Sequence, residues 1–412
     1  MKFTAPRGTH DVLPSEQPLW SLITRTAEDV CALYGYGRLI TPGFEDTGLF
    51  ERTSGRGSDI VRKEMYAFED RGGRSLTLRP EGTAPTARAY VEHGLDREPQ
   101  PFKAYSIAPM YRYDRPQKGR YREHWQFNVE AIGSADPAVD AEIIQLYTEF
   151  LRRLGIRRYT LELNSIGDRN CRPAYLERLE AWLDEHDDLL DADARLKRET
   201  SPLRVFDTKN PEVAAALAEA PKIGESLCAE CDEHFAAVRE HLEACGVSYE
   251  LRPTLVRGLD YYTRTTFEFL GEALGAKDAI LGGGRYDYLI EEIGGSSTPG
   301  IGFGAGIERL RLQLEEEGIG GIEPAGIDVF FAVEDGASRA RVSALMAKLR
   351  REGRSCDTDY AGRSSKGQLT QAGRLRAETT VIVGRTEATI RRSGREDITV
   401  DLNGLKEALA SG

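Results

Sequence analysis

The sequence predicts an α+β protein of two or three domains, and three observations carry that expectation. Residues 64–78 and 102–132 read as antiparallel hairpins, with β-forming side chains on either side of turn-rich segments. Residues 170–250 are rich in Ala, Leu, Glu and Arg at helical periodicity, with almost no strand signal, and so read as a helical insertion. From residue 327, apolar strands alternate with helices, the pattern of a small α/β domain with a parallel or mixed sheet. The expected divisions are 1–168 and 251–322 for a two-part domain, 169–250 for the insertion and 327–412 for the C-terminal domain. At 412 residues, each can bury its own core.

Along the chain, Ser15 is the expected cap of a helix over about 16–34, whose apolar stripe is Leu19, Leu22, Ile23, Val30 and Leu33. Gly35 and Gly37 stop it, and a short strand then ends at Pro42. The first hairpin turns at Asp70-Arg71-Gly72-Gly73 and delivers Arg79-Pro80-Glu81-Gly82-Thr83 to the start of a helix running to about His93. At that junction Glu81 and Thr83 can bind an ammonium group or simply cap the helix.

The second hairpin is the most informative stretch. Its return strand places Trp125, Phe127, Val129 and Ala131 on one face and Gln126, Asn128 and Glu130 on the other. Gln126 and Glu130 are therefore ~13 Å apart on one face, at ~3.3 Å per residue. Arg112 stands at the lip of the outgoing strand, and the loop beyond it carries Arg115, Lys118, Arg120 and Arg122. The pattern suits a polyanion whose small end enters the protein; a solvated surface hairpin is the plainer alternative.

A helix over 139–154 and a strand over 159–163 follow, and after the insertion comes a strand over 265–270. Two glycine runs then appear, Gly282-Gly283-Gly284 and the alternating glycines of 300–306, ahead of a helix that opens at Ile307 with Arg309 in its first turn. Glycine at every second strand position clears one face for a ring or phosphate, although close strand packing is the commoner reason for such runs. The C-terminal domain is expected to comprise a strand over 328–333, a helix over 338–353, a strand over 379–384, a closing hairpin and a last helix over 405–409.

With 55 Lys/Arg against 67 Asp/Glu, the net charge of −12 argues against indiscriminate nucleic-acid binding. The balance is uneven: residues 324–412 carry 15 basic and 12 acidic side chains, leaving −15 on the remainder. No apolar run approaches the ~20 residues of a membrane span and no signal peptide is present, so a cytoplasmic location is expected. Six cysteines are sparse enough to suggest reduced thiols. Cys228-Ala-Glu-Cys231 is the only metal-like spacing, with His234, His241 and Cys245 nearby. It lies in helix-like sequence without the usual knuckle glycines, so no protein ligand to a metal is assigned.

At this point the chain resembles the histidyl-tRNA synthetases, a class II aminoacyl-tRNA synthetase family, over essentially its full length. The first helix and the strand ending at Pro42, the central hairpin, and GIGFGAGIERL resemble the three class motifs. LVRGLDYYT (255–263) and GGGRYD (282–287) resemble the two histidine-specific signatures, joined by LRPEGTAP (78–85). The resemblance implies an antiparallel catalytic sheet flanked by helices, a C-terminal anticodon-binding domain and a homodimer. It also implies two steps: activation of L-histidine by ATP with Mg²⁺, then transfer to histidine tRNA.

It further implies residue roles. Arg112 and Arg257 would take the α-phosphate from opposite sides, with Arg257 also near the histidine carboxylate. Arg309 and Arg120 would hold the distal phosphates. Glu81 and Thr83 would take the α-amino group and Gln126 the carboxylate side, while Glu130, Tyr262 and Tyr261 would read the imidazole. One departure concerns the adenine site: the family usually has Phe-His where this chain has His124-Trp125, which makes His124 a candidate for the stacking position, with a pH-sensitive stack as one outcome, and leaves the role of the pair open.

Two alternatives share the fold. One is a non-catalytic synthetase-like regulatory subunit of histidine biosynthesis, and the other a class II synthetase for another amino acid such as proline or threonine. The intact LVRGLDYYT, Arg309 and the C-terminal extension weigh against the first, and Glu130 with the Arg257–Tyr262 signature against the second. In the C-terminal domain, Arg363, Lys366, Arg374 and Arg376 are candidate anticodon-stem contacts, or a solvated face.

Overall fold

The computed structural model describes residues 2–55, 58–208, 210–272 and 278–410. They form two compact units, Met1–Ile322 and Glu323–Gly412. The fold is α+β.

The first unit is built on an eight-stranded sheet. Its order is Gly37–Arg38, Phe102–Tyr111, Glu123–Ile132, Gly300–Gly306, Asp278–Arg285, Thr263–Gly271, Tyr159–Ser165 and Glu250–Leu251. The six inner strands pair antiparallel, and only the two short edge strands add in parallel. Because side chains alternate across a strand, Phe127, Val129 and Ala131 turn to one face and Gln126, Asn128 and Glu130 to the other. The helix Pro137–Leu154 covers the first face. Asp136 Oδ1 accepts the Ala138 N–H at 2.9 Å to start it, Pro137 fills the first turn, and Gly155 at φ +83° ends it. Its Tyr147 and Phe150 pack onto Phe127, Phe269 and Phe303, with ring centroids about 5 Å apart. The opposite face is left for the cavity described below.

The first hairpin is present as Tyr66–Glu69 and Ser75–Leu78, joined by Phe44–Asp46 into a small three-stranded sheet. Residue 64 belongs instead to a π-helical turn, Ile60–Glu64. Ser15 does not cap the first helix. That helix is Gln17–Leu33, with Pro18 in its first turn, and Glu16 spends its Oε2 on the Leu13 N–H at 3.0 Å. Residues 172–244 contain four helices, Arg172–Glu185, Ala192–Thr200, Pro211–Leu217 and Ala229–Ala244, and no strand among those described. Leu179, Leu183, Val205, Val213 and Leu217 give this region its own core.

The second unit is a mixed five-stranded sheet in the order Cys356–Thr358, Val329–Val333, Thr379–Val383, Glu387–Arg392, Ile398–Asp401. Val329–Val333 is buried throughout because both faces are covered. Helices Arg339–Arg351 and Leu405–Ala410 pack on one side through Met346, Leu349 and Leu409. On the other, helix Ser365–Arg374 packs through Leu369 and Ala372. Of its basic residues, Arg363 pairs with Asp359 at 2.6 Å and Arg376 pairs with Glu323. Among the described residues no helix is long and apolar enough to cross a membrane.

Candidate active site

On the open face of the large sheet lies a cavity of about 380 Å³, within the range of small-molecule sites. Its floor is set by strand register. Asn128 pairs with Ser106 on one side and Gly304 on the other, and Gly304 in turn pairs with Gly282 and Gly282 with Glu268. One row further along, Ala104, Glu130, Gly302, Gly284 and Thr266 lie abreast. The long side chains thus stand on one strand, with small residues flanking them.

The glycines make room for the protein's own groups. A Cβ at Gly282 would collide with the Arg257 guanidinium, one at Gly302 with the Glu130 carboxylate, and one at Gly284 would lie 2.9 Å from the Tyr262 ring. Arg257 comes from the segment before strand Thr263–Gly271, lies over Gly282 and pairs with Glu268. Its guanidinium carbon is 6.0 Å from the centre of the Tyr262 ring.

Arg112, Arg120, Arg257 and Arg309 all line this cavity. Arg112 Nε donates to the Pro80 carbonyl at 2.8 Å, which fixes the guanidinium at the wall. Arg120 lies 3.6 Å from Asp114. Arg309 reaches back from helix Ile307–Glu316 to the carbonyls of Gly119 and Ala279, tying the basic loop to the glycine strand. Arg122 is not a wall residue; its guanidinium stacks 3.7 Å from the Tyr113 ring centre.

Glu81, Thr83, Gln126, Tyr261 and Tyr262 line the same cavity. Glu81 does cap the helix Thr83–Glu92, accepting the N–H groups of Thr83 at 2.7 Å and Ala84 at 2.8 Å. Burial raises its carboxyl above the usual range despite these bonds. Burial likewise raises the phenols of Tyr261 and Tyr262, so both remain hydrogen-bond donors.

Glu130 departs from expectation. It does not line the cavity but sits one layer below, 1 % exposed. Both its oxygens are taken: Thr83 Oγ1 donates to one at 2.7 Å and the Tyr286 hydroxyl to the other at 2.6 Å. The physical reason is Gly302, whose missing side chain lets the carboxylate sink against the sheet. Burial with no cation beside it pushes its pKa up to about 8, only partly opposed by the Tyr286 and Thr83 hydroxyls. Tyr286, the tyrosine of GGGRYD, is therefore a site-building residue that sequence reasoning did not single out. The arginine of that run, Arg285, is wholly buried in ion pairs with Asp140 and Asp287, and Asp140 also meets His234 Nε2 at 3.0 Å.

His124 lines the cavity and Trp125 does not. Trp125 instead sits edge-on to Trp20 at 6.0 Å. Burial, and then the charges of Arg112 and Arg309, lower His124 to about 3, so the imidazole is neutral at physiological pH. The ring therefore undergoes no change of charge near neutrality. Glu308, also at the wall, accepts the Trp125 N–H at 2.9 Å and is raised by burial to about 7.

Guanidinium groups together with phenols, a threonine and a carboxyl around one cavity can hold an anionic nucleotide beside a small amphoteric molecule. Comparison with known proteins agrees. The family model for histidyl-tRNA synthetase matches residues 8–310. A histidine–tRNA ligase from Caldanaerobacter subterraneus subsp. tengcongensis is 46% identical over 93% of this chain and 92% of its own length. One from Moorella thermoacetica is 48% identical over 94% and 92%. The crystal structure of apo S. aureus histidyl-tRNA synthetase superposes with a TM-score of 0.83 at 35% identity, covering 99% of this chain and 100% of that one. The chain belongs to the histidyl-tRNA synthetase family.

Proposed function

We infer that the chain is a histidine–tRNA ligase that activates L-histidine with ATP and transfers the histidyl group to the 3′ end of histidine tRNA. The observation that carries this reading is the convergence of Arg112, Arg257 and Arg309 on the cavity that Glu81, Thr83, Gln126, Tyr261 and Tyr262 also line.

In the first step the histidine carboxylate attacks the α-phosphorus and pyrophosphate leaves. Two anions must meet, so cations fixed at the reacting phosphate lower the barrier most. Arg112 and Arg257 fill that role, since a guanidinium fork holds an oxyanion bidentately. Arg309 and Arg120 take the distal phosphates, and His124 offers a neutral ring to adenine. Glu64 and Asp114, among the wall carboxylates, would hold a Mg²⁺ bound with the nucleotide, which would supply screening of the phosphate charge.

At the other end, Glu81 and Thr83 hold the ammonium group and Gln126 the carboxylate side. Tyr261 and Tyr262 face the ring. Glu130 acts from beneath as a positioning residue: by holding Thr83 and Tyr286 it fixes what the imidazole meets. An analogue that leaves those buried groups unpaired is disfavoured.

The second step brings in the tRNA. The C-terminal unit has the only positive charge balance in the chain, and that balance supports anticodon-stem contact there. Leu33, Ile40 and Phe44, exposed at 64%, 77% and 52%, support a homodimer interface around the first helix and the edge strand. The reading places the chain in the cytoplasm, with its tRNA. Amino-acid-dependent ATP–pyrophosphate exchange tests it. Exchange with histidine alone is expected; exchange with another amino acid, or none, would overturn it.

A further inference from the structure

One cluster outside the cavity is made of groups that the reaction does not use. Strand Tyr159–Ser165 runs into a tight turn at Gly167, whose φ is +60°, and a Cβ there would lie 2.6 Å from Cys171 Sγ. Asp168 and Cys171 follow, three residues apart. Cys228 and Cys231 have the same spacing and come from the far end of the helical region. One ligand atom from each of the four lies within 4.8 Å of all the others.

The spacings are those of a coordination shell. Cys171 Sγ is 3.9 Å from Cys231 Sγ and 3.7 Å from Asp168 Oδ1. Ligands held tetrahedrally at ~2.3 Å from zinc are roughly 3.8 Å apart, whereas a disulfide brings two sulfurs to ~2.05 Å. Cys171, Cys231 and Asp168 are buried and Cys228 is half-buried, so four acidic donors are grouped away from water. The Asp168 N–H points at Cys171 Sγ from 3.4 Å. Cys171 and Cys228 each precede a long helix, Arg172–Glu185 and Ala229–Ala244, and neither side chain caps it. Three thiolates and a carboxylate around a dication leave a surplus of negative charge, which Arg264, 3.3 Å from Asp168 Oδ2, helps to offset.

We propose that Asp168, Cys171, Cys228 and Cys231 bind one structural Zn²⁺. In the sequence Cys228 and Cys231 stand nearest His234, His241 and Cys245. The second pair in space instead lies 57 residues upstream, next to Gly167, and His234 is occupied by Asp140. With four protein ligands the ion has no open position, so its role is to hold. It pins both ends of the helical region to the turn after the strand. That turn backs the histidine end of the cavity: Arg172 Nη2 donates to the Tyr262 carbonyl at 2.8 Å, and Arg264 and Gly167 are joined by a backbone hydrogen bond of 2.7 Å.

The test is metal analysis of the full-length protein purified from zinc-supplemented cells. About one zinc per chain is expected, released by a mercurial thiol reagent. Cobalt exchanged into the protein should give the visible absorption of a thiolate-bound tetrahedral ion. Cys231→Ser should lose the metal, whereas Cys245→Ser, which alters an exposed thiol outside the cluster, should retain it. Because a buried serine also disturbs packing, Asp168→Cys is the second variant: it should keep one zinc and strengthen the cobalt–thiolate absorption. Folded wild-type protein without zinc and without a cobalt spectrum would overturn the proposal. So would a metal content indifferent to Cys231→Ser, or a Cys171–Cys231 disulfide.

Discussion

His124 at the cavity wall and Glu130 one layer beneath the cavity are held neutral for the same reason, burial, with opposite consequences for pH. The Glu130 carboxyl, at about 8 in the fold against an ordinary 4.5, binds its proton more tightly folded than unfolded. Stability therefore falls as pH rises from 4.5 to 8, by an amount on the order of a few kcal/mol. Glu130→Gln removes that cost while keeping the hydrogen bonds to Thr83 and Tyr286 only imperfectly. Thermal melts should show the variant more stable than the parent at pH 8.5, and steady-state kinetics should show KM for histidine raised about tenfold with KM for ATP little changed. Equal losses for both substrates would remove Glu130 from the histidine end. His124 is depressed to about 3, so the unfolded chain takes up its proton first as pH falls below 6.5, and stability declines through that window. His124→Phe should flatten the pH dependence of unfolding between 6.5 and 5 and leave KM for ATP within about threefold, because either ring presents a face to adenine.

Strands rather than single side chains explain the glycine runs. Gly302 stands beside the strand that carries Gln126 and Glu130, Gly282 and Gly284 stand one strand further out, and their missing side chains are the volume that Glu130, Arg257 and Tyr262 occupy. Gly282→Ala should displace the far end of Arg257, a flexible group, without moving backbone. We expect kcat to fall at least tenfold while the melting temperature moves by less than ~2 °C; a normal kcat would show that Arg257 need not lie over that glycine. Alternation in residues 125–131 made the cavity face readable from sequence, as did the positions of Arg112 and Arg309. What was hidden depended on contacts between distant segments. The depth of Glu130 depends on Gly302 and Tyr286, the Asp168–Cys171 half of the cysteine cluster lies far from Cys228 and Cys231 in sequence, and Arg285 is spent on Asp140. Helix Ser365–Arg374 was hidden for a local reason: Gly367 and Gly373 weaken its helical signal, and only Gln368 and Ala372 are buried along it.

At the scale of the molecule, the two compact units have separate cores, and every residue assigned to activation lies in the first. A chain ending at residue 322 should therefore retain histidine-dependent ATP–pyrophosphate exchange, within about tenfold of the full-length rate, and lose most of its charging of histidine tRNA. Retained charging would dissociate the C-terminal unit from tRNA binding.

Activation requires Arg257 to meet the reacting phosphate beside the bound histidine, and single-turnover formation of histidyl-adenylate by Arg257→Ala measures that step alone. With the fold intact by circular dichroism, the rate should drop by about 10²–10³, the loss typical of removing one group that stabilises transition-state charge. A rate within a few-fold of the parent would mean that the guanidinium over Gly282 does not serve the phosphorus.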